Sequence, residues 1–418
     1  MVSLITLSIP IFFALIAIEL IAAKVMARKV YRLNDSLDDI NCGVISRVRG
    51  ILTLGIGGLI YIGSFELGRQ LGLPELESTS WVTWVVALFG VDFAYYWFHR
   101  HSHEVNFLWA AHIVHHQSED YNLAVALRQS AFQGLFNIWY YAPLALIGVP
   151  LGVYATSVSL NTLYQFWIHT RLIGRLPRPI EAVFNTPSHH RVHHGADPKY
   201  LDRNYAGVLI IWDRMFGTFQ PEEEEPTYGT TKPLARWNPV WANFDYWAQL
   251  VRQARTFDTL GDKILIFFKH PGWRPEQPVP DLPEVSGRAQ FDADTSFARK
   301  LYVFVHFVVM LLATVGLLFG QKALSYPAQV ALCVWISISA IALGLAFEHA
   351  RRTNFRALEL ARLVALPALL FYLLPASGAA SGSTAMAIVA GTGVFSLLSL
   401  LALWLTRVPT AEAAPLAA

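Results

Sequence analysis

Trp81-Val82-Thr83-Trp84-Val85-Val86-Ala87-Leu88-Phe89-Gly90-Val91-Asp92-Phe93-Ala94-Tyr95-Tyr96-Trp97-Phe98-His99-Arg100-His101-Ser102-His103-Glu104 is the stretch on which the fold turns. Up to Phe98 it holds one ionisable group, Asp92, and it closes on four consecutive aromatics. A helix needs about 20 such residues to cross the hydrocarbon core of a bilayer, so the run reads as a membrane span. His99 and His103 follow at once, and on a helix they sit a turn apart on one face. The stretch therefore carries a membrane helix directly into a candidate metal site.

The rest of the chain extends the first half of that reading. Of 418 residues, 54% are hydrophobic and 15% charged, against roughly a quarter charged in an average soluble domain, and mean hydropathy is +0.39. A water-soluble globule is excluded, as are disordered, collagen-like and disulfide-rich secreted chains. The net charge of +2 gives no reason to expect a nucleic-acid partner. Cys42 and Cys333 stand far apart with no CxxC spacing, so there is neither a disulfide framework nor a zinc–thiolate site. Any metal must be held by nitrogen or oxygen. Apolar runs of spanning length occupy residues 4–23, 51–67, 81–98, 131–149, 151–168, 301–320, 328–347, 361–377 and 385–405. The fold class is an all-α integral membrane protein of about nine membrane helices. Only Pro150 separates the fourth run from the fifth, so this pair either spans as a hairpin or dips in and re-enters; its ends share one side either way.

Orientation follows from where Lys and Arg collect. Lys24, Arg28, Lys29, Arg32, Arg47 and Arg49 lie between the first two runs, and Arg69 stands alone between the second and third. The first loop is thus expected to be cytoplasmic. Alternation puts residues 171–300 inside, the loop near Lys322 outside, and Arg351, Arg352, Arg356, Arg362 and Arg407 inside. The N-terminus lacks a basic leader and reads as an uncleaved anchor. The many Ala, Leu and Arg residues suggest a bacterial inner membrane. Residues 236–268 look amphipathic and helical, lying along the membrane surface, and the prolines Pro271, Pro275, Pro278, Pro280 and Pro283 mark a boundary. The expected organisation is a membrane core over residues 1–270, a Pro-rich linker over 271–298 and a four-helix membrane module over 299–418. The acidic run Glu222–Glu225 reads as a solvated loop face.

Fourteen histidines are present, eleven of them between His99 and His194, where an even scatter would leave about three. The spacing of His112-Ile113-Val114-His115-His116 recurs in His190-Arg191-Val192-His193-His194. A lone histidine means little, but two HxxHH boxes and one HxxxH are a specific pattern. The topology brings all three to the cytoplasmic side, together with His169 at the end of the hairpin. Gln165, one turn earlier, is a candidate for holding water at the metal. His99, His103, His112, His115, His116, His169, His190, His193 and His194 make nine imidazoles. A closed zinc site uses four ligands, so nine serve two metals with positions left open. Imidazole suits several metals; two irons fit oxygen chemistry best. His101 interrupts the pattern and reads as a supporting or surface residue; His189 is left open as a contact of the metal site, because its neighbour His190 already satisfies the spacing; His270, His306 and His349 lie apart from the cluster. Asp92 sits seven residues before His99 on about the same helix face, inside a span where ionisable groups are functional by default, and is expected to accept a ligand's N–H. Glu19 and Glu66 read as interface charges.

The boxes and their surroundings resemble the fatty acid hydroxylase and sterol desaturase superfamily of membrane di-iron oxygenases. The text between the boxes is most similar to its pterin-dependent alkylglycerol monooxygenase subgroup. The resembling segments are Tyr31 to Ser36, Val91 to Asn106, Ser118 to Leu123, Ala126 to Ser130, Tyr164 to Thr170, Asn185 to Gly207 and Trp212 to Gly217, which cover roughly residues 31–275. The resemblance implies two irons, O2 as co-substrate, a lipid substrate held between spans and reduced tetrahydropterin as electron source. It implies oxygen insertion beside the ether oxygen of an alkylglycerol or its lyso-phospholipid form, releasing a fatty aldehyde. Glu104 matches the family's HE pair and is expected to orient His103 or to shuttle a proton. Other members hydroxylate or desaturate acyl chains or sterols with electrons from a redox partner protein, so that activity is the alternative. A non-catalytic metal-binding membrane protein or transporter is the alternative of another class.

Overall fold

The computed structural model describes residues 4–53, 55–279, 281–293, 295–348, 353–377 and 382–405; His349, Arg351, Arg352 and Arg407 lie outside them. Among the described residues the structure is helical, with two isolated bridges, Phe184 to Leu209 and Gly195 to Tyr228, in place of any strand. The first half contains α1 (Ile9–Val25), α2 (Leu33–Leu52), α3 (Ile56–Gln70), α4 (Trp81–Glu104), α5 (Asn106–His112), α6 (Ile138–Leu146), α7 (Leu151–Trp167) and α8 (Pro187–His193). After them come α9 (Asp245–Thr256), α10 (Phe297–Gly320), α11 (Tyr326–Phe347), α12 (Thr353–Ser377) and α13 (Gly382–Leu405).

Five of these helices, α4 and α10 to α13, are long and apolar enough to cross a membrane. The other expected spans take a different form. α1 and α7 have 17 residues each. The run at 131–149 breaks into Gln133–Phe136 and the nine-residue α6. The run at 51–67 is cut where Gly55 adopts φ +72°, the left-handed conformation that favours glycine, and α2 and α3 meet there at 55°.

α2 itself was expected to be a charged inter-span loop; it is a 20-residue helix with Asn34, Asp35, Asp38, Asp39 and Asn41 buried. Burial of those acids is sustained by Arg128, whose Nη1 donates to Asp38 at 2.8 Å and to Asp39 at 3.1 Å. α12 also starts earlier than the expected run at 361 and takes in Arg356. Arg362, within that run, is not at a solvated end: its guanidinium pairs with Glu359 at 2.6 Å and both side chains are buried. The amphipathic stretch 236–268 is three helices, Pro239–Ala242, α9 and Leu260–Leu265. The acidic run is paired as well as solvated, with Glu222 on Arg191, Glu225 on Arg171, and Glu223 and Glu224 on Lys199.

The largest apolar core draws Leu37, Ile40 and Val44 from α2, Trp237 from the long polar stretch, and Phe307, Met310, Trp335 and Leu343 from α10 and α11. It thus crosses the Pro-rich segment. That segment is tied down: Phe291 N donates to Glu119, and Arg32 Nη1 donates to Phe291 O at 2.7 Å. These ties set the C-terminal helices beside α2, against the wall of the histidine site.

Candidate metal centre

α4 delivers His99 and His103 one turn apart; α5 ends on His112 and tightens into a 3₁₀ turn, Ile113–His116, that carries His115 and His116. His169 follows α7, and α8 with its C-terminal cap supplies His190, His193 and His194. All nine are buried, none more than 7% exposed. They separate into two sets whose candidate ligand atoms lie within 4.8 Å of one another: His99, His103, His112, His116 and His193 in one, His115, His169, His190 and His194 in the other. Each HxxHH box is therefore shared. The first gives its outer pair to one set and His115 to the other, while the second gives His193 to the first set and its outer pair to the second. The His116 and His194 rings stack at 4.4 Å and join the two sets.

Around the rings, oxygen acceptors fix which nitrogen is protonated. His99 Nδ1 donates to Tyr205 O at 2.7 Å, His112 Nδ1 to Gln133 Oε1 at 2.9 Å, His115 Nδ1 to Arg128 O at 3.0 Å, His169 Nδ1 to Gln165 O at 2.7 Å and His193 Nδ1 to Arg203 O at 3.0 Å. The Nε2 atoms of these rings are left as lone pairs. Nevertheless His99 Nε2 lies 3.1 Å from His112 Nε2, and His115 Nε2 lies 3.3 Å from His169 Nε2. Facing lone pairs at that distance repel unless a cation lies among them. Two nitrogens at right angles on a metal, each about 2.1 Å from it, are about 3 Å apart, close to the spacing seen. The buried Nε2 atoms of His103, His193 and His194 have no hydrogen-bond partner, which a metal would supply. Burial holds the His115 imidazole down at about 4 and lowers His116, His193 and His194 as well. The rings are neutral at pH 7, the form that ligates.

One loop carries much of this support. Asp202 and Asn204 adopt φ +59° and +55°, a conformation that Asp and Asn tolerate better than most residues. The bend turns the carbonyls of Arg203 and Tyr205 toward His193 and His99. Asn204 fastens it, donating to His189 O at 3.1 Å and Gln220 O at 2.7 Å and accepting from Gln220 N at 2.8 Å. Asp213 accepts from Tyr205 N, Ala206 N and the Thr218 hydroxyl.

Asp92 was expected to accept a ligand's N–H. Its carboxylate instead accepts from Asn161, Val208 N, Leu209 N and Trp212 Nε1, at 2.8 to 3.1 Å. It ties α4 to the segment after the support loop, and its partners include no histidine. Glu104 is likewise directed elsewhere: it accepts from Arg100 Nε at 2.9 Å, one turn back along α4. The carboxylate near His103 is Asp202, 3.8 Å from Nδ1, and its other oxygen accepts from His270 Nε2 at 2.8 Å. Sequence reasoning passed over both, because neither carries a spacing signal. Gln165 serves through its backbone carbonyl, while its side chain bonds to Asn161. His101 bonds to the Tyr140 hydroxyl, and His189, whose spacing left a metal contact open, faces Glu181; both lie outside the two sets. His306 contacts Arg362 in the C-terminal helices. Glu19 is not an interface charge: it is buried and accepts from Tyr31, Leu123 N and Thr170. Exposed Glu66 pairs with Arg69.

Two cavities reach the histidines. One, of about 490 Å³, has His103, His116 and His193 in its wall together with polar groups such as Asp202, Lys232 and Gln249. The other, of about 750 Å³, starts at His112, His115 and His169 and continues between apolar residues including Phe12, Phe13, Val315 and Leu318. A polar access and an apolar slot thus meet the same centre.

A family model for fatty acid hydroxylases matches residues 84–218, which hold all nine histidines. The chain is 43% identical to an alkylglycerol monooxygenase of Homo sapiens over 309 residues, 72% of this chain and 68% of that protein. With the alkylglycerol monooxygenase of Danio rerio it shares 38% identity over 362 residues, 85% of this chain and 79% of the relative. An ornithine lipid hydroxylase of Rhizobium tropici is 30% identical over 155 residues, 36% of this chain and 46% of that protein. No solved structure matches the chain. Nine buried imidazoles beside an apolar slot and relatives aligned over most of the sequence lead to one conclusion: the chain belongs to the alkylglycerol monooxygenase family and is a membrane-bound lipid monooxygenase.

Proposed function

We propose that the two histidine sets each hold one iron and that the enzyme cleaves the ether bond of alkylglycerols. The observation that carries the reading is the convergence of Nε2 lone pairs in two sets at the head of an apolar slot. When bound, the irons supply the activation of O2. One oxygen atom enters the C–H bond beside the ether oxygen, and the other leaves as water with two electrons and two protons. The resulting hemiacetal breaks its C–O bond, giving a fatty aldehyde and a glycerol hydroxyl. The protein's part is to seat the chain in the slot, keep water from it and hold the imidazoles in the ligating tautomer. The polar cavity is the entry for the reductant, a tetrahydropterin in this reading, and the Asp202–His270 pair beside it is placed to pass protons toward His103. Asp92 and Glu104 act as positioning residues, through the segment after the support loop and through Arg100.

We read the centre as lying on the cytoplasmic side, on the strength of the Lys and Arg residues between α1 and α3. The nine apolar segments are read as five crossing helices, a sixth span formed by α2 and α3 and bent at Gly55, and three shorter partners; the α2–α3 span leaves the side of the basic residues before it and α4 returns to it. A nine-residue α6 reaches about 14 Å, less than half of a ~30 Å core, which supports re-entry of the α6–α7 pair. The division at 271–298 is kept as an organisational reading, with α10 shaping the slot through Val315 and Leu318.

Iron per chain in the detergent-purified protein and product identity test the function. About two irons, lost in His115→Ala and His193→Ala, with aldehyde released from an alkylglycerol, are expected. A retained hydroxyl or a new double bond would replace ether cleavage by acyl or sterol oxidation, and zinc alone would remove the oxygenase reading.

A further inference from the structure

The apolar slot carries neutral polar groups with hydrogen bonds to spare. Tyr95, Asn137 and Tyr141 stand in its wall. The Tyr61, Tyr121 and Tyr164 hydroxyls each donate to a backbone carbonyl. Among the described residues, the Tyr95 and Tyr141 hydroxyls and the Asn137 side-chain amide have no such partner. They are not sealed in like the unpaired hydroxyls of Tyr205 and Tyr228; they open on the cavity. No carboxylate lines it, and of its two arginines Arg47 is exposed and Arg49 partly buried.

The positions of the three follow the histidines. Tyr95 is four residues before His99, hence one turn away on the same face of α4, and the two rings are 5.1 Å apart. The bare backbone at Gly207 packs against the phenol, where a Cβ would come within 2.9 Å of Tyr95 Cδ1. Asn137 and Tyr141 follow Gln133, the acceptor of His112 Nδ1–H, at steps of four, so this row leads away from the ligands. A phenol or amide that faces an apolar cavity loses hydration, at a cost, unless a ligand's oxygens replace the water. Uncharged donors suit uncharged oxygens. We propose that Tyr95 donates to the ether oxygen of the substrate and that Asn137 and Tyr141 bind its glycerol hydroxyls, so that the three select an alkylglycerol over a plain chain. The inference rests on the ether-lipid reading above and assigns residues to it. The reacting carbon is bonded to the ether oxygen, so an oxygen held one turn from His99 puts that carbon at the histidine end. Glycerol then runs along Asn137 and Tyr141, and the alkyl chain lies among Phe12, Phe13 and Leu318.

The test is binding, which needs no turnover. Three uncharged probes of equal length are titrated into the whole chain in detergent, with intrinsic tryptophan fluorescence as readout. They are 1-O-dodecylglycerol; hexadecane-1,2-diol, which has a methylene in place of the ether oxygen; and dodecyl propyl ether, which lacks both hydroxyls. The wild type is expected to bind dodecylglycerol about fivefold tighter than the diol and about tenfold tighter than the propyl ether. Tyr95→Phe should abolish the first preference and keep the second. Asn137→Leu with Tyr141→Phe should abolish the second and keep the first. Equal binding of all three probes to the wild type would overturn the proposal. So would preferences that survive both sets of substitutions, or the loss of both at once in Tyr95→Phe, the mark of a slot that has merely deformed. If the crossed pattern holds while an alkylglycerol yields no aldehyde, the ether-cleavage reading fails and the hydrogen-bonding subsite stands.

Discussion

His112 keeps its Nε2 lone pair available because Gln133 takes the proton on the other ring nitrogen. Removing that acceptor should release the tautomer and the ring angle together. Gln133→Leu is predicted to weaken iron retention about 10- to 100-fold, read as metal content after dialysis against graded chelator; wild-type retention would show the amide to be incidental. Asn204 is the second such residue. Asn204→Ala puts an ordinary side chain at φ +55° and removes three hydrogen bonds. A loss of about 2–4 kcal/mol is expected, with Asn204→Gly losing less because only the bonds go; denaturant midpoints of the three proteins decide the order. The two histidine sets were legible because helical spacing repeats and imidazole is rare. Their supports were not, since a carbonyl oxygen has no signature in sequence and Asp202 acts from an irregular bend. Glu104 misled by adjacency: one step along α4 turns a side chain about 100° away from its neighbour, which takes it to Arg100.

Helix α11 meets the rest of the protein through a glycine. A Cβ on Gly344 would lie 1.7 Å from Trp237 O, so backbone must shift to admit any larger residue. Gly344→Ala should lift α11 from the Trp237 segment and widen the slot that α10 helps to line. The predicted result is a fall in thermal midpoint with early loss of substrate binding; a variant with the wild-type midpoint would contradict the close approach. Between α10 and α12, Tyr302 joins the buried Glu359–Arg362 pair, its Oη donating to Glu359 at 2.6 Å. Glu359→Ala strands the arginine and should cost about 3–5 kcal/mol. Glu359→Met combined with Arg362→Met should recover most of it, and no recovery would mean the carboxylate does more than balance charge. These elements were legible to different degrees. The long apolar runs of α4, α10 and α11 announce themselves by length. α2 does not, because its buried residues mix Leu37, Ile40 and Val44 with Asn and Asp, and the partner of Asp38 and Asp39, Arg128, is some ninety positions away. α6 and α7 read as spans because composition reports an apolar environment and says nothing of how deep a helix goes.

The whole molecule has a pH response that its buried imidazoles dictate, and the metal-depleted protein isolates it. Burial holds His115 and His189 down at about 4, whereas an exposed histidine titrates near 6.5. Between those values the unfolded chain binds more protons than the folded one, so stability rises with pH across the window. The contribution is fully present above about 6.5 and is lost as pH falls toward 4. Asp213 opposes it: burial pushes its carboxyl up to about 6, so there the folded state binds the extra proton and stability falls as pH climbs from about 4 to 6. Asp120, likewise pushed up to about 6, adds to the opposition, but His112, His116, His169, His190, His193 and His194 are lowered by burial as well and outnumber the raised carboxyls. The unfolding midpoint in detergent is therefore predicted to climb between pH 4 and 6.5 and to level off above. His189→Gln should flatten part of the climb without touching either histidine set, and Asp213→Asn should steepen it. A midpoint that falls with pH over this range would mean that the buried rings are charged, and a charged imidazole could not serve as a ligand.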